Sequence, residues 1–183
     1  MEAEQTHIKD CYIIHNTFFK DNRGYFFESF NQQTFLKKTG IDVNFVQDNQ
    51  SSSTRGVLRG LHFQKGDASQ AKLVRVLEGE VLDIAVDIRK GSPTFGQHVS
   101  IKLSATSNTQ LFIPRGFAHG FLVLSETAVF FYKCDNYYNK QAESGLMYND
   151  ADLNIDWGLP ANELILSEKD TQNPTLQQII NIL

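Results

Sequence analysis

The chain has 183 residues, 41% hydrophobic and 21% charged, with a formal net charge of −4. That is the make-up of a globular protein long enough to bury a substantial core, most simply as one unit over residues 1–183, and its acidic balance argues against broad nucleic-acid binding while leaving room for a local cationic pocket. Cys11 and Cys134 make neither a disulfide framework nor a zinc spacing, the Met1–Gln5 start is polar and acidic, and no apolar run nears the roughly 18 residues of a membrane span, so a cytoplasmic protein with no membrane or nucleic-acid partner is expected.

In chain order, Cys11 to Ile14 reads as a first strand. Asp21-Asn22-Arg23-Gly24 is turn chemistry, and Tyr25 to Phe30 resumes as an aromatic strand. Residues 31–38 predict a short helix, capped by Asn31 and ended by Gly40. Phe45 to Gln50 leads into Ser51–Thr54, read as a polar loop. From Gln70 to Tyr138 strand follows strand. Lys72–Leu77 and Val81–Ile88 look like a hairpin across Glu78-Gly79-Glu80, followed by Gln97–Leu103, Gln110–Ile113, Phe121–Leu124 and Ala128–Cys134. Strands at short spacing without intervening helices predict a mostly β, antiparallel sandwich or barrel, with its core over about residues 45–138. In the C-terminal segment, about 160–183, Leu176, Ile179, Ile180 and Leu183 fall at helical spacing after Pro174, a short packing helix.

The chemistry concentrates in Gly56-Val57-Leu58-Arg59-Gly60-Leu61-His62-Phe63-Gln64. Arginine offers a rigid fork of donors for phosphate oxygens, and histidine is a base near neutral pH. The run reads either as a pocket floor or as an ordinary strand with a satisfied histidine and a surface arginine. On a regular strand Arg59 and His62 have opposite parity, so both reach one cavity only if the backbone turns near Gly60.

A second glycine-framed histidine stands in Pro114-Arg115-Gly116-Phe117-Ala118-His119-Gly120, placed between two strands. The two segments resemble the paired motifs of the cupin superfamily, which implies a jelly-roll β-barrel with an interior site. In that pattern the first motif supplies H-x-H and then a glutamate six residues short of a glycine. Here Gln64 stands at the second histidine and Lys72 at the glutamate, and an ammonium in a ligand shell repels a cation. No metal is therefore expected.

Most of the chain, from about Phe18 to Asp170, resembles the dTDP-4-dehydrorhamnose 3,5-epimerase family. The matching pieces are Asp21-x-Arg23-Gly24-x-Phe26-x-Glu28, Gln47-x-Asn49, the Gly56–Gln64 run, Lys72-Leu73-Val74-Arg75-Val76, Asp83 to Arg89, Ser92 to Gly96, Pro114 to Phe121, Tyr132-Lys133, Tyr137-Tyr138 and Glu143-Ser144-Gly145. The resemblance implies a cofactor-free epimerase acting on a dTDP-4-keto-6-deoxyhexose, in which the protons at C3 and C5 are acidified by the C4 ketone. It implies His62 as base, Asp170 as its carboxylate, Tyr132 as proton donor and Lys72 as stabiliser of the oxyanion on C4. It further implies substrate contacts from Arg23 and Arg59 to the diphosphate, from Glu28 and the Gln47-Asp48-Asn49 run to base and sugar, and from Tyr138, with Phe19, to the thymine. His119, Glu143 and Lys169 match additional contacts, while Asp83 and Asp87 read as structural. A homodimer is implied, with N-terminal segments reaching the neighbour's pocket. Met147-Tyr148-Asn149-Asp150-Ala151 departs from the family pattern beside Glu143 and is expected to reshape the pocket edge. A single-centre epimerase, a ketoisomerase or a silent nucleotide-sugar binder are the competing readings.

Overall fold

The computed structural model describes residues 1–180. The chain opens with β1 (Glu2–Gln5) and β2 (Tyr12–His15), and β3 (Phe19–Asp21) and β4 (Gly24–Phe26) pair as a separate hairpin. Helix α1 (Gln32–Thr39) precedes β5 (Gln47–Thr54), β6 (Leu58–Gln64), β7 (Lys72–Glu78), β8 (Glu80–Asp87) and β9 (His98–Ser104). Then come β10 (Gln110–Ile113), β11 (Phe117–Val123), β12 (Thr127–Cys134), β13 (Glu143–Gly145) and helix α2 (Leu176–Ile179). Two antiparallel sheets result, ordered β1-β2-β10-β7-β12-β5 and β13-β6-β11-β8-β9. This is the mostly β, cupin-type double sheet, with the few short helices at its periphery.

Burial follows strand parity. On β8, Val81 and Ala85 meet Val74, Val76, Phe121 and Phe130 between the sheets. Leu82, Ile84 and Val86 of the same strand point outward onto Leu153, Trp157 and Ile179 of the C-terminal segment. β8 is therefore apolar on both faces. The outer face of the six-stranded sheet buries Ile14, Leu73 and Phe112 under Phe35 of α1 and Val43. Helix α1 is stopped and started as expected: Asn31 accepts the Thr34 N–H, and Gly40, at φ 74°, donates back to Leu36.

Several boundaries differ from the expectation. β7 and β8 do not form a hairpin, because β7 lies between β10 and β12 while β8 lies between β11 and β9. The chain turns a sandwich corner at Gly79, whose φ of 78° and approach to the Thr127 carbonyl (2.1 Å from an added Cβ) exclude a side chain. Ser51–Thr54 is not a loop but the second half of β5, with Ser51 opposite Phe130. Its backbone is fully laddered while its side chains are polar, so no hydrophobic alternation marks it. The edge strand β1 is polar in the same way and was not expected. The aromatic strand ends at Phe26, and Phe30 instead packs on Phe35 with ring centroids 5.8 Å apart. Pro114–Gly116 of the second motif do lie between strands, but Phe117–Gly120, with His119, fall inside β11, which starts at Phe117 rather than Phe121. Thr175, directly after Pro174, caps α2 through a box with Gln178, and the expected Leu183 position lies outside the described residues.

Candidate active site

Inward positions that the apolar cluster does not fill line a cavity of about 560 Å³. From the six-stranded sheet, Lys72 continues the inward row of Val74 and Val76, and Tyr132 that of Phe130, with Asn49 directly opposite Tyr132. From the facing sheet come His62 and His119, which are cross-strand partners.

Arg59 joins them through a bulge. His119 pairs with His62 and Phe121 with Arg59, so two steps along β11 match three along β6. The extra residue falls at Gly60, with φ 126°, where an added Cβ would stand 2.6 Å from the Gly120 Cα. Glycine on both strands lets the backbones close up there, and the slip turns Arg59 and His62 into one cavity.

The His62 Nε2 lies 2.5 Å from Oδ1 of Asp170, which is 3% exposed. Asp170 comes from the turn after Ser167–Lys169. Burial works to raise the Asp170 carboxyl, but the bond and charge of His62 outweigh it and hold the carboxyl below its ordinary value. Lys72 sits beside the Tyr132 ring, 5.8 Å from its centroid, and burial pushes its ammonium down. Burial also raises the Tyr132 phenol to about 12, so it keeps its proton throughout the neutral range.

Toward the mouth, the Arg59 Nε–H donates to Ser53 Oγ at 3.1 Å, an anchor that leaves the guanidinium's terminal nitrogens available. Glu143 accepts from the Tyr138 hydroxyl at 3.1 Å and pairs with Lys169 at 2.5 Å. Burial opposes ionisation of Glu143, yet those two donors hold its carboxyl below the usual value. Gln47 accepts from the Tyr138 backbone N–H at 3.0 Å and donates to Asn49 at 3.1 Å, so it holds the Tyr138 loop from behind. Gln64, at the cupin histidine position, is turned to the Asn139 N–H at 3.0 Å.

The structure thus brings together Asn49, Arg59, His62, Lys72, His119 and Tyr132, and at the rim Tyr138, Glu143, Lys169 and Asp170. Phe19, Arg23, Glu28 and Asp48 do not reach this cavity. Phe19 and Arg23 lie on the β3–β4 hairpin, where Arg23 pairs with its own Asp21 at 2.6 Å. Glu28 is exposed and accepts from the Asn31 amide. Asp48 has the opposite strand parity to Gln47 and Asn49 and pairs with Lys133 at 2.8 Å, away from the cavity. The Met147–Ala151 segment does not shape the pocket edge either. Tyr148 packs in the outer cluster and accepts the Trp157 indole N–H at 2.9 Å, while Asp150 caps the Leu176 N–H at 2.6 Å.

Two features went unread and a third, Asp83, was read only as structural. Ser53 is hidden in a polar strand without a hydrophobic signal. Asp83 meets His119 at 2.9 Å, its signal being a carboxylate within an apolar strand. Ile165, Leu166 and Ser167 wall the cavity, pinned to β6 by the Ile165 N–H to Gly56 bond at 2.8 Å. No metal-binding cluster of three or more His, Cys, Asp or Glu occurs among the described residues. No helix among them is long and apolar enough to cross a membrane.

The family model described as dTDP-4-dehydrorhamnose 3,5-epimerase matches residues 5–178. A dTDP-4-dehydrorhamnose 3,5-epimerase of Salmonella typhimurium is 53% identical over 177 residues, 96% of each chain. The crystal structure of the Elizabethkingia anophelis dTDP-4-dehydrorhamnose 3,5-epimerase superposes with a TM-score of 0.95 at 56% identity, over 97% of each chain. That of the Legionella pneumophila dTDP-6-deoxy-D-glucose-3,5-epimerase, in complex with dTDP-4-keto-L-rhamnose, gives 0.93 at 48% identity, over 97% of this chain and 94% of that one. With the cavity's paired sheets, its histidine–carboxylate couple and its inward-facing lysine all within the matched span, the chain is an enzyme that belongs to the dTDP-4-dehydrorhamnose 3,5-epimerase family.

Proposed function

We propose that this chain inverts C3 and C5 of dTDP-4-dehydro-6-deoxy-D-glucose, giving dTDP-4-dehydro-L-rhamnose, by removing and returning the protons beside the C4 ketone. The observation that carries this reading is the pairing of His62 on β6 and Tyr132 on β12, from opposite sheets across one cavity, with the half-buried Lys72 beside Tyr132 in its lining. A base and an acid on opposite sides of a sugar ring are what inversion requires: the proton leaves from one side and returns to the other. Asp170 receives the His62 Nε2–H, which leaves Nδ1 to take the proton from carbon. Loss of that proton places negative charge on the C4 oxygen, and an ammonium in a water-poor pocket stabilises it far more than in bulk solvent. Tyr132 then donates its hydroxyl proton to the opposite face.

The nucleotide end follows the rim. Arg59, oriented by Ser53, takes the diphosphate, and Tyr138, held by Glu143 and Gln47, stacks on the thymine. Asn49, His119 and Lys169 complete the sugar and phosphate contacts. The hairpin residues Phe19 and Arg23, with Glu28, serve the partner cavity of a homodimer. Phe19, Tyr25 and Phe26 are 63%, 59% and 64% exposed on that hairpin, an apolar surface that a second copy would cover.

Incubation with the dTDP-4-keto sugar in deuterated water tests the reading. The expected product is the L-configured ketone carrying deuterium at both C3 and C5 by nuclear magnetic resonance. Label and inversion at a single carbon would make the enzyme a mono-epimerase, and no turnover at all would make it a binder.

A further inference from the structure

We infer that Asp83 is a positioning residue for the reaction: it holds His119 as a hydrogen-bond acceptor toward the sugar and keeps Lys72 protonated beside the C4 oxygen. The inference rests on the epimerase reading above and adds a second carboxylate to it.

Two carboxylates stand four residues apart on β8, both fully buried, and their surroundings differ completely. Asp87 is saturated: it accepts from Arg89 Nε at 2.9 Å, Arg89 Nη2 at 2.8 Å, and the hydroxyls of Ser92 and Thr94 at 2.6 Å each. That is a carboxylate serving the fold. Asp83 has one partner, the His119 Nε2 at 2.9 Å through Oδ1, and its Oδ2 has none among the described residues. A buried carboxylate with an oxygen unmatched destabilises a core that a same-sized apolar side chain would fill better. Its placement is explained by what it faces. Asp83 shares the inward parity of Val81 and Ala85, on the side of β8 that looks toward the cavity.

The consequence for His119 is a fixed tautomer. The ring is 6% exposed, and burial pushes its proton affinity down, so it is neutral near pH 7. A neutral imidazole has one N–H, and the carboxylate can only accept, so Nε2 carries the proton and Nδ1 keeps its lone pair. His119 therefore offers the sugar an acceptor, suited to a hydroxyl donor, and does not compete with Tyr132 as an acid.

The consequence for Lys72 is charge. The titratable groups around it are Asp83 on β8, His62 and His119 on β6 and β11, Tyr132 and Cys134 on β12, and Glu143 on β13. The phenol and the thiol, at about 12 and about 11, are uncharged near neutrality. His119 is neutral, and Glu143 is already paired with Lys169. Lys72 itself has no ion pair among the described residues, which leaves Asp83 as the countercharge not spent on another cation.

Three measurements test this. In Asp83→Asn, kcat should fall about 10- to 100-fold while dTDP affinity stays within about twofold, since Arg59 and Tyr138 are untouched. The alkaline limb of the kcat/KM profile should move down by about one pH unit, because removing a negative charge near Lys72 lowers its proton affinity. Wild-type kcat and an unmoved limb in Asp83→Asn would reduce Asp83 to packing. If that variant fails to fold, nitrogen-15 spectra of the ligand-free wild-type enzyme decide. An Nε2–H tautomer of His119 at neutral pH supports the proposal, and an Nδ1–H form or a charged ring overturns it. That reading needs no turnover, so it stands or falls apart from the substrate assignment, which the product analysis above tests separately.

Discussion

Removing the imidazole and removing the guanidinium should cripple the enzyme in different ways. His62→Ala deletes the proposed base and leaves the anion site, so turnover should drop by about 10²- to 10⁴-fold with dTDP binding nearly intact. Arg59→Ala should do the reverse, raising the dissociation constant of dTDP while kcat changes less. Calorimetric titration beside steady-state kinetics separates the two. Tyr132→Phe keeps the ring and loses the proton, so wash-out of label from the substrate should outlast net inversion. Full activity in Tyr132→Phe would remove the phenol from the mechanism. That His62, Lys72, Tyr132 and Asp170 would meet at one cavity was legible because their neighbours in sequence match a family pattern. Ser53 was not, since a serine among serines carries no signal until Arg59 is seen bonded to it. Asp83 was visible as a carboxylate in an apolar strand but could not be told from Asp87, because the distinction lies in partners drawn from other strands.

Strand types were easier to read than strand partners. The β7 and β8 runs were located closely, yet their glycine-centred connection fits a hairpin as well as a corner between sheets. Sheet membership is decided by long-range pairing, which local turn chemistry does not encode. The bulge at Gly60 is the counterexample: the clash in parity between Arg59 and His62 called for it before the register showed it. The turn after β8 makes its own prediction. Burial opposes ionisation of Asp87, but the Arg89 fork with Ser92 and Thr94 brings its carboxyl down to about 2. A carboxyl depressed in the folded state stabilises the protein above the unfolded value near 4, and the contribution disappears as pH falls through about 2, on the order of 2 kcal/mol in all. Thermal melts should show Asp87→Asn less stable than the parent at pH 7, with the gap narrowing as pH falls from 4 toward 2. A gap independent of pH would assign the effect to packing alone.

At the scale of the molecule, the hairpin residues make the proposed dimer a matter of catalysis. If Arg23 serves the neighbour's cavity, Arg23→Ala and His62→Ala subunits are each impaired alone, but a mixed dimer rebuilds one cavity with both residues present. Unfolding and refolding the two together should restore activity toward about one intact site in four, and sedimentation should report a dimer. No recovery on mixing would place Arg23 outside the neighbour's site. The carboxylate that orients His62 is 108 positions downstream of it, on a segment laid along β6 from outside the double sheet. A ribosome can therefore release a folded barrel's worth of polypeptide in which His62 still lacks its carboxylate, and the His62–Asp170 pair is assembled only when the tail docks. The same tail is the part that mild urea should lift first, so the enzyme is expected to fall silent while its circular dichroism still reads as native.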